Sequence, residues 1–228
     1  SEPFGKFVNV AVLEGDQIKI VDEGVGQLIP DCPDLVTSLA GAIDHRSASG
    51  VTAVLIQLAA SMRQHGRGGA LLVVPSGSDS WRESILAPVL YAVDPPYSEL
   101  SGLMRITNAD PDDLKRAVDA IAGLTAVDGA TIINDRYDLL AFGAKISRRR
   151  GSPQVESVNL TEPIEGSQPT PATPSLLGGT RHLSAAQFVY DQHEAMALVA
   201  SQDGRFTIFK WSNREQHVHA HRVDALLL

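Results

Sequence analysis

The chain has 228 residues, with 19 Lys and Arg against 27 Asp and Glu, for a formal net charge of −8. Hydrophobic residues make up 43% and charged residues 20%, which excludes wholesale disorder and suits one large domain with a substantial core. The acidic balance argues against bulk binding to nucleic acid, yet a locally basic pocket still admits a small polyanion such as ATP.

Phe7–Leu13 and Gln17–Val21 are β-rich runs around Glu14-Gly15-Asp16 and read as a hairpin. Pro33–Arg46 places Leu35, Val36, Leu39 and Ile43 at helical spacing, and Val51–His65 reads as a second helix stopped by glycines. Ala70–Val74 is a continuous apolar run suited to a buried strand. Trp81–Ala92 and Tyr97–Ile106 are helix candidates, separated by Asp94-Pro95-Pro96. Asp110-Pro111 starts a helix that runs to about Gly123, with Leu114, Ala117, Val118 and Ile121 on one stripe. Ala130–Ile133 and Leu139–Ser147 follow as strands joined at Asn134-Asp135-Arg136.

From Arg148 to about Leu177 the hydrophobic period is lost among prolines and small polar residues, so a long loop is expected. Beyond it come a short helix over His182–Tyr190 and a hairpin of Ala195–Ser201 with Arg205–Trp211 around Gln202-Asp203-Gly204. Val218–Leu228 reads equally as strand or helix. Alternating strands and helices predict an α/β fold with a central mixed β-sheet flanked by helices. The expected division is an N-terminal hairpin-and-helix elaboration over 1–50 and one domain over 51–228. No apolar run approaches a membrane span, and no secretory signal is recognised. The single cysteine, Cys32, excludes an intrachain disulfide, points to inert packing, and suggests a cytoplasmic protein.

Two glycine-containing turns carry groups suited to chemistry. Asp128-Gly129-Ala130 offers a carboxylate beside a backbone that a ligand can approach closely. Gly178-Gly179-Thr180-Arg181-His182 runs into a helix, where free N–H groups, a hydroxyl and a guanidinium favour an anion. The plainer readings are a common Asp-Gly turn and a capped helix start with surface-paired side chains.

Together these segments resemble the diadenylate cyclase (DAC) domain family, the nucleotide-binding domain of DNA-integrity scanning proteins. The resemblance rests on Asp128-Gly129-Ala130 with the ATIIND and LLAFGAKI strands, and on Gly179-Thr180-Arg181-His182 with Ser184-Ala185-Ala186. The ALVASQDGRFTIF and GGALLVV segments add to it, and it covers roughly residues 50–212. It implies one ATP per protomer, a facing homodimer or higher homo-oligomer, and a nucleotidyltransferase that condenses two ATP into cyclic di-AMP, a nucleotide second messenger. It also implies a divalent metal, Mg or Mn. Carried onto this chain, Asp128, Arg181 and His182 would be catalytic. Gly129, Ala130, Gly179, Thr180, Arg181 and Ser201 would hold nucleotide, and Asp128, His182 and Asp203 would lie at the metal.

The chain departs from the family pattern in three places. Gln202 stands where an acidic residue is usual, Leu183 stands where an arginine usually follows the histidine, and the interval from Asp128 to Thr180 is longer. The changes at Gln202 and Leu183 suit an alternative, a non-catalytic sensor that binds ATP or cyclic di-AMP. Arg148-Arg149-Arg150 reads as a solvated basic turn, or as a clamp over the triphosphate. His217, His219 and His221 alternate and so share one face of a strand; they read as solvated or interfacial residues, with zinc binding the sharper alternative. Tyr190, Phe206, Phe209 and Trp211 read as core, although Trp211 or Tyr97 could stack on adenine.

Overall fold

A computed structural model describes residues 11–14, 17–21, 31–40 and 50–227. Its centre is a mixed sheet whose strands interleave in sequence. β1 (Ala11–Glu14) and β2 (Gln17–Ile20) pair antiparallel as a separate two-stranded sheet, with Ala11 opposite Ile20 and Glu14 opposite Gln17, while residues 7–10 of the expected first strand and 15–16 of its turn lie outside the described residues. The large sheet contains β3 (Gly69–Val74), β4 (Tyr91–Tyr97), β5 (Ala130–Asn134), β6 (Leu139–Ala144), β7 (Val158–Thr161), β8 (Thr170–Ala172), β9 (Met196–Ala200), β10 (Phe206–Ser212) and β11 (His217–Arg222). Its order is β4-β6-β5-β3-β9-β10-β11-β7-β8, with parallel pairs at β3–β5 and β11–β7 and antiparallel pairs elsewhere.

Both faces of the sheet are covered, as the unbroken apolar run of β3 requires. Successive side chains on a strand point to opposite faces. Leu71 and Val73 therefore join one cluster, while Ala70, Leu72 and Val74 join the other. The first face carries α1 (Asp34–Ala40), α2 (Gly50–Gln64), α3 (Glu99–Met104) and α4 (Pro111–Leu124), which bury Leu35, Leu58, Leu100 and Ile121 against it. The second face carries α6 (Thr180–Asp191), preceded by the single-turn α5 (Pro174–Gly178), and buries Ala185, Phe188 and Val189. The protein is thus α/β, and its described residues form a nine-stranded mixed sheet flanked by helices.

α4 begins as its sequence predicts. Asp110 caps it by accepting from the Asp112 backbone N–H at 2.8 Å, and Pro111 occupies the first turn, where no N–H is needed. The Asp119 carboxylate accepts from Ser61 Oγ at 2.8 Å, tying α4 to α2.

Three segments differ from the sequence expectations. Trp81–Ala92 is not a helix; it holds one 3₁₀ turn (Ser80–Ser84) and the start of β4. Pro95 and Pro96, expected between two helices, lie within β4. Proline supplies no N–H to a ladder, and β4 tolerates it because it is the sheet's edge. The same holds at the opposite edge for Pro171 in β8. The 148–177 segment is not a structureless loop, since it contributes β7, β8 and α5. β7 is too short to show a period, and only its pairing with β11 makes it a strand. The C-terminal segment resolves into β11 and a 3₁₀ turn (Asp224–Leu226). The expected helix over Pro33–Arg46 is present as α1, and residues 41–46 lie outside the described residues.

Candidate nucleotide site

β5 and β6 are antiparallel, and the register that places Ala130 opposite Ala144 brings the residues before β5 beside those after β6. Asp128 and Lys145 thereby meet. Lys145 Nζ donates to Asp128 Oδ2, with the carboxylate almost fully exposed. That hydrogen bond first, then the lysine and Arg181 charges, hold the Asp128 carboxyl below its usual range. Gly129 is required at this turn. Its φ is +116°, and a Cβ there would lie 2.4 Å from the Gly143 carbonyl carbon.

α6 starts opposite. Gly178 makes room for the ring of His182, whose Cε1 would lie 2.2 Å from a Cβ at position 178. His182 Nδ1 lies 3.2 Å from the Gly178 carbonyl oxygen and so carries the proton, which leaves Nε2 to accept from Thr207 Oγ1 at 3.3 Å. The ring is fully buried and packs edge-on to Phe209. Burial is the main reason its pKa is lowered, so the imidazole is held neutral. The Leu183 N–H bonds back to the Gly179 carbonyl at 3.2 Å, and the amides before it form the open first turn of the helix.

The two turns face one pocket of about 460 Å³. Asp128, Gly129 and Ala130 line it together with Gly178, Gly179, Thr180 and Arg181, and Lys145 and Ser184 are also in the lining. The pocket therefore pairs one carboxylate with two cations and a helix N-terminus, a composition that suits a polyphosphate. Arg181 leans over Gly68, where a Cβ would lie 2.7 Å from its Nη1.

Of the residues singled out from sequence, Asp128, Gly129, Ala130, Gly179, Thr180 and Arg181 converge here. His182 lies beneath them, outside the lining, and anchors the glycine turn to β10. Ser201 and Asp203 belong to the β9–β10 turn, also outside the lining. Ser201 N–H donates to the Arg205 carbonyl at 2.8 Å, and Asp203 Oδ2 lies 3.5 Å from Arg205 Nε. Gln202 Nε2 donates to the Arg67 carbonyl at 3.4 Å. Among the described residues, no group of three or more His, Cys, Asp or Glu side chains is arranged around a common point as metal ligands.

The arginine run takes a different position from a clamp over this pocket. Arg149 Nε pairs with Glu83 at 2.7 Å, and Arg149 N–H donates to Asp191 at the other end of α6. Of the histidine row, His219 and His221 are buried rather than solvated, and His217 is half-buried. Glu215 Oε2 lies 2.8 Å from His219 Nε2, and Thr161 Oγ1 lies 2.7 Å from His221 Nδ1. Trp211 stacks on His193 away from the pocket, and Tyr97 lies on edge strand β4. The Cys32 thiol is half-buried beside Thr37, with its pKa raised by burial, as suits a packing role.

Sequence reasoning missed Lys145. Its signal was the hairpin itself, because pairing the ATIIN and LLAFGA strands places residue 145 next to residue 128. No family model matches the chain, and no curated protein matches it. No helix among the described residues is long and apolar enough to cross a membrane.

Proposed function

We propose that this pocket binds an adenine nucleotide and that the protein is a diadenylate cyclase, joining two ATP molecules across a facing dimer. The observation that carries the reading is the convergence of Asp128-Gly129-Ala130 and Gly179-Thr180-Arg181, distant in sequence, on the lining of one pocket. Thr180, Arg181 and the open amides of α6 are suited to the triphosphate, with Lys145 a further cation. Phosphoryl transfer depends on positioning and charge neutralisation more than on covalent help. Asp128, ionised and exposed at the mouth, is placed to accept the proton of a ribose 3′-hydroxyl from a facing nucleotide.

A divalent ion fits this donor set through Asp128, with phosphate oxygens and water as its other ligands, as Mg²⁺ prefers. When bound, it supplies neutralisation of phosphate charge. The facing dimer draws support from exposed apolar side chains around the pocket. Val127 adjoins Asp128, Leu176 lies in α5 just before the glycine turn, and Leu86 follows the bridge between Ile85 and Ile146. Tyr91 packs against Gly143 and is half exposed.

The second reading, a sensor that binds nucleotide without turnover, is favoured by two observations. His182 has both ring nitrogens engaged inside the fold, and Gln202 brings no charge to the pocket. Incubation with ATP and Mg²⁺ or Mn²⁺, with products resolved by chromatography, separates the two. Cyclic di-AMP that disappears in Asp128→Asn supports the cyclase. Tight nucleotide binding with no product under either metal, at concentrations where the protein dimerises, leaves the sensor. Absence of nucleotide binding by calorimetry removes both.

A further inference from the structure

β10 turns Phe206 and Ile208 into the core of the first face, and the same alternation brings Lys210 to that face. Strand register sets Lys210 in line with Met196, Val73 and Ile133, apolar residues that belong to this core or pack against it. A cavity of about 310 Å³ adjoins the row. Leu35 of α1, Leu55 of α2, Val73 and Met196 give it apolar walls, and Lys210 is a cation in its lining.

The lysine is half-buried, and its Nζ donates to the backbone carbonyls of Glu194 at 2.8 Å and Ala195 at 3.2 Å. A neutral primary amine has two N–H groups and one lone pair. Both N–H groups can go to these carbonyls, which leaves the lone pair as the remaining valence. Burial holds the Lys210 pKa below the usual lysine range, and the Glu194 charge opposes this only in part. A desolvated lysine in an apolar pocket is the setting in which an amine becomes a nucleophile toward a carbonyl.

Charge restricts what enters. Asp34, Asp135 and Glu194 also line the cavity and are exposed, so three carboxylates against one lysine leave the lining net negative. An anion is repelled there, whereas a neutral apolar molecule meets no such barrier.

We propose that Lys210 captures small apolar aldehydes in this cavity as imines. The ammonium first gives one proton to solvent. Its lone pair then forms the C–N bond at the aldehyde carbon, while the carbonyl π pair moves to oxygen. The nitrogen passes a proton to that oxygen. The hydroxyl takes up the proton first released and leaves as water, as the nitrogen lone pair closes the C=N bond. Ammonium and aldehyde thus become protonated imine and water, with no oxidant or reductant required. The proposal is independent of nucleotide binding at Asp128 and Arg181.

The test labels the full chain with benzaldehyde at pH 7.5. Cyanoborohydride traps each imine as a stable benzylamine, and mass spectrometry of the peptides reads every lysine separately. The references are N-acetyl-lysine amide in the same solution and Lys115, whose side chain is 69% exposed. Lys210 is expected to react about tenfold faster than either, a small part of what holding two reactants together can supply. Excess benzyl alcohol, apolar and unreactive, slows Lys210 and leaves Lys115 unchanged. With the anionic 4-carboxybenzaldehyde, the preference for Lys210 over Lys115 falls several-fold. Asp128→Asn and Arg181→Ala leave the labelling as it is, so the outcome is separable from that of the nucleotide reading. Labelling of Lys210 no faster than the reference amines overturns the proposal. A preference that benzyl alcohol does not reduce, or that 4-carboxybenzaldehyde shares in full, overturns it as well.

Discussion

Lys145 and Asp128, 17 positions apart, are brought together by the β5–β6 register, so the nucleophile-activating carboxylate proposed for this site has a cation built against it. The pairing keeps Asp128 ionised at pH values where an isolated aspartate begins to protonate. If Asp128 is the proton acceptor, Lys145→Ala moves the acidic limb of the pH–rate profile upward, toward the ordinary carboxylate range. Both side chains are exposed, so the melting temperature stays where it is while kcat/KM changes. A pH–rate series on the wild type and Lys145→Ala checks this.

Arg181 supplies a fork of donors at the start of α6. Arg181→Ala is expected to weaken ATP binding by about tenfold or more, and Arg181→Lys to restore little of it, because an ammonium cannot make the bidentate contact. Calorimetric titration with ATP measures both variants. Equal affinities for wild type and Arg181→Ala would remove this residue from the site.

Gly178 and His182 form a second coupled pair. A methyl at Gly178 would overlap the imidazole, and that ring cannot move without breaking its bonds to Gly178 and Thr207. Overpacking of this kind costs about 1–3 kcal/mol. Gly178→Ala therefore lowers stability by that amount and also weakens nucleotide binding, since the displaced turn carries Thr180 and Arg181. Denaturant unfolding, read with the ATP titration, tests the two effects together.

His221 is buried between Thr161 and His219, and burial pushes its pKa from the ordinary 6.5 to about 3. The unfolded chain binds this proton below about pH 6.5 while the folded chain does not. The stabilisation is therefore complete above pH 6.5 and is lost as pH falls from there toward 3. The slope from this one residue is at most about 1.4 kcal/mol per pH unit. His182, also lowered by burial, adds in the same direction. Urea unfolding at pH 7.5 and 5.0 is expected to show a clear drop for the wild type and a smaller one for His221→Gln.

Leu72 sits at the centre of β3, fully buried against α6. Leu72→Ala removes methylene contacts from a closed layer and costs about 2–5 kcal/mol. A loss below about 1 kcal/mol by chemical denaturation would contradict the packing described for that face.

Legibility in the sequence followed the physical range of each signal. The β3 run, the Asp110-Pro111 helix start and the Asp-Gly hairpin of β9 and β10 rest on local chemistry, and each forms where expected. β4 and β7 were illegible because both are strands only by virtue of their neighbours. β4 carries two prolines that an edge alone accommodates, and β7 is defined by a partner about 60 positions away. The site divides in the same way. The glycines of both turns announce themselves, since each meets a steric demand within its own segment or across one hairpin. The burial of His182 is set by β10, which no pattern around residue 182 contains.

The amino-acid sequence by itself determined the α/β class, most of the helices and central strands, and the two glycine-containing turns, because periodicity, capping and glycine chemistry act over a few residues. Only the tertiary structure decided which charges meet. Strand register set Lys145 against Asp128. Burial turned His182 from a phosphate-facing group into an anchor, and the packing of the 148–177 segment carried Arg149 and Arg150 to the far end of α6. Those outcomes depend on contacts between segments distant in the chain, where the interaction energy belongs to the pair and is invisible in either partner alone.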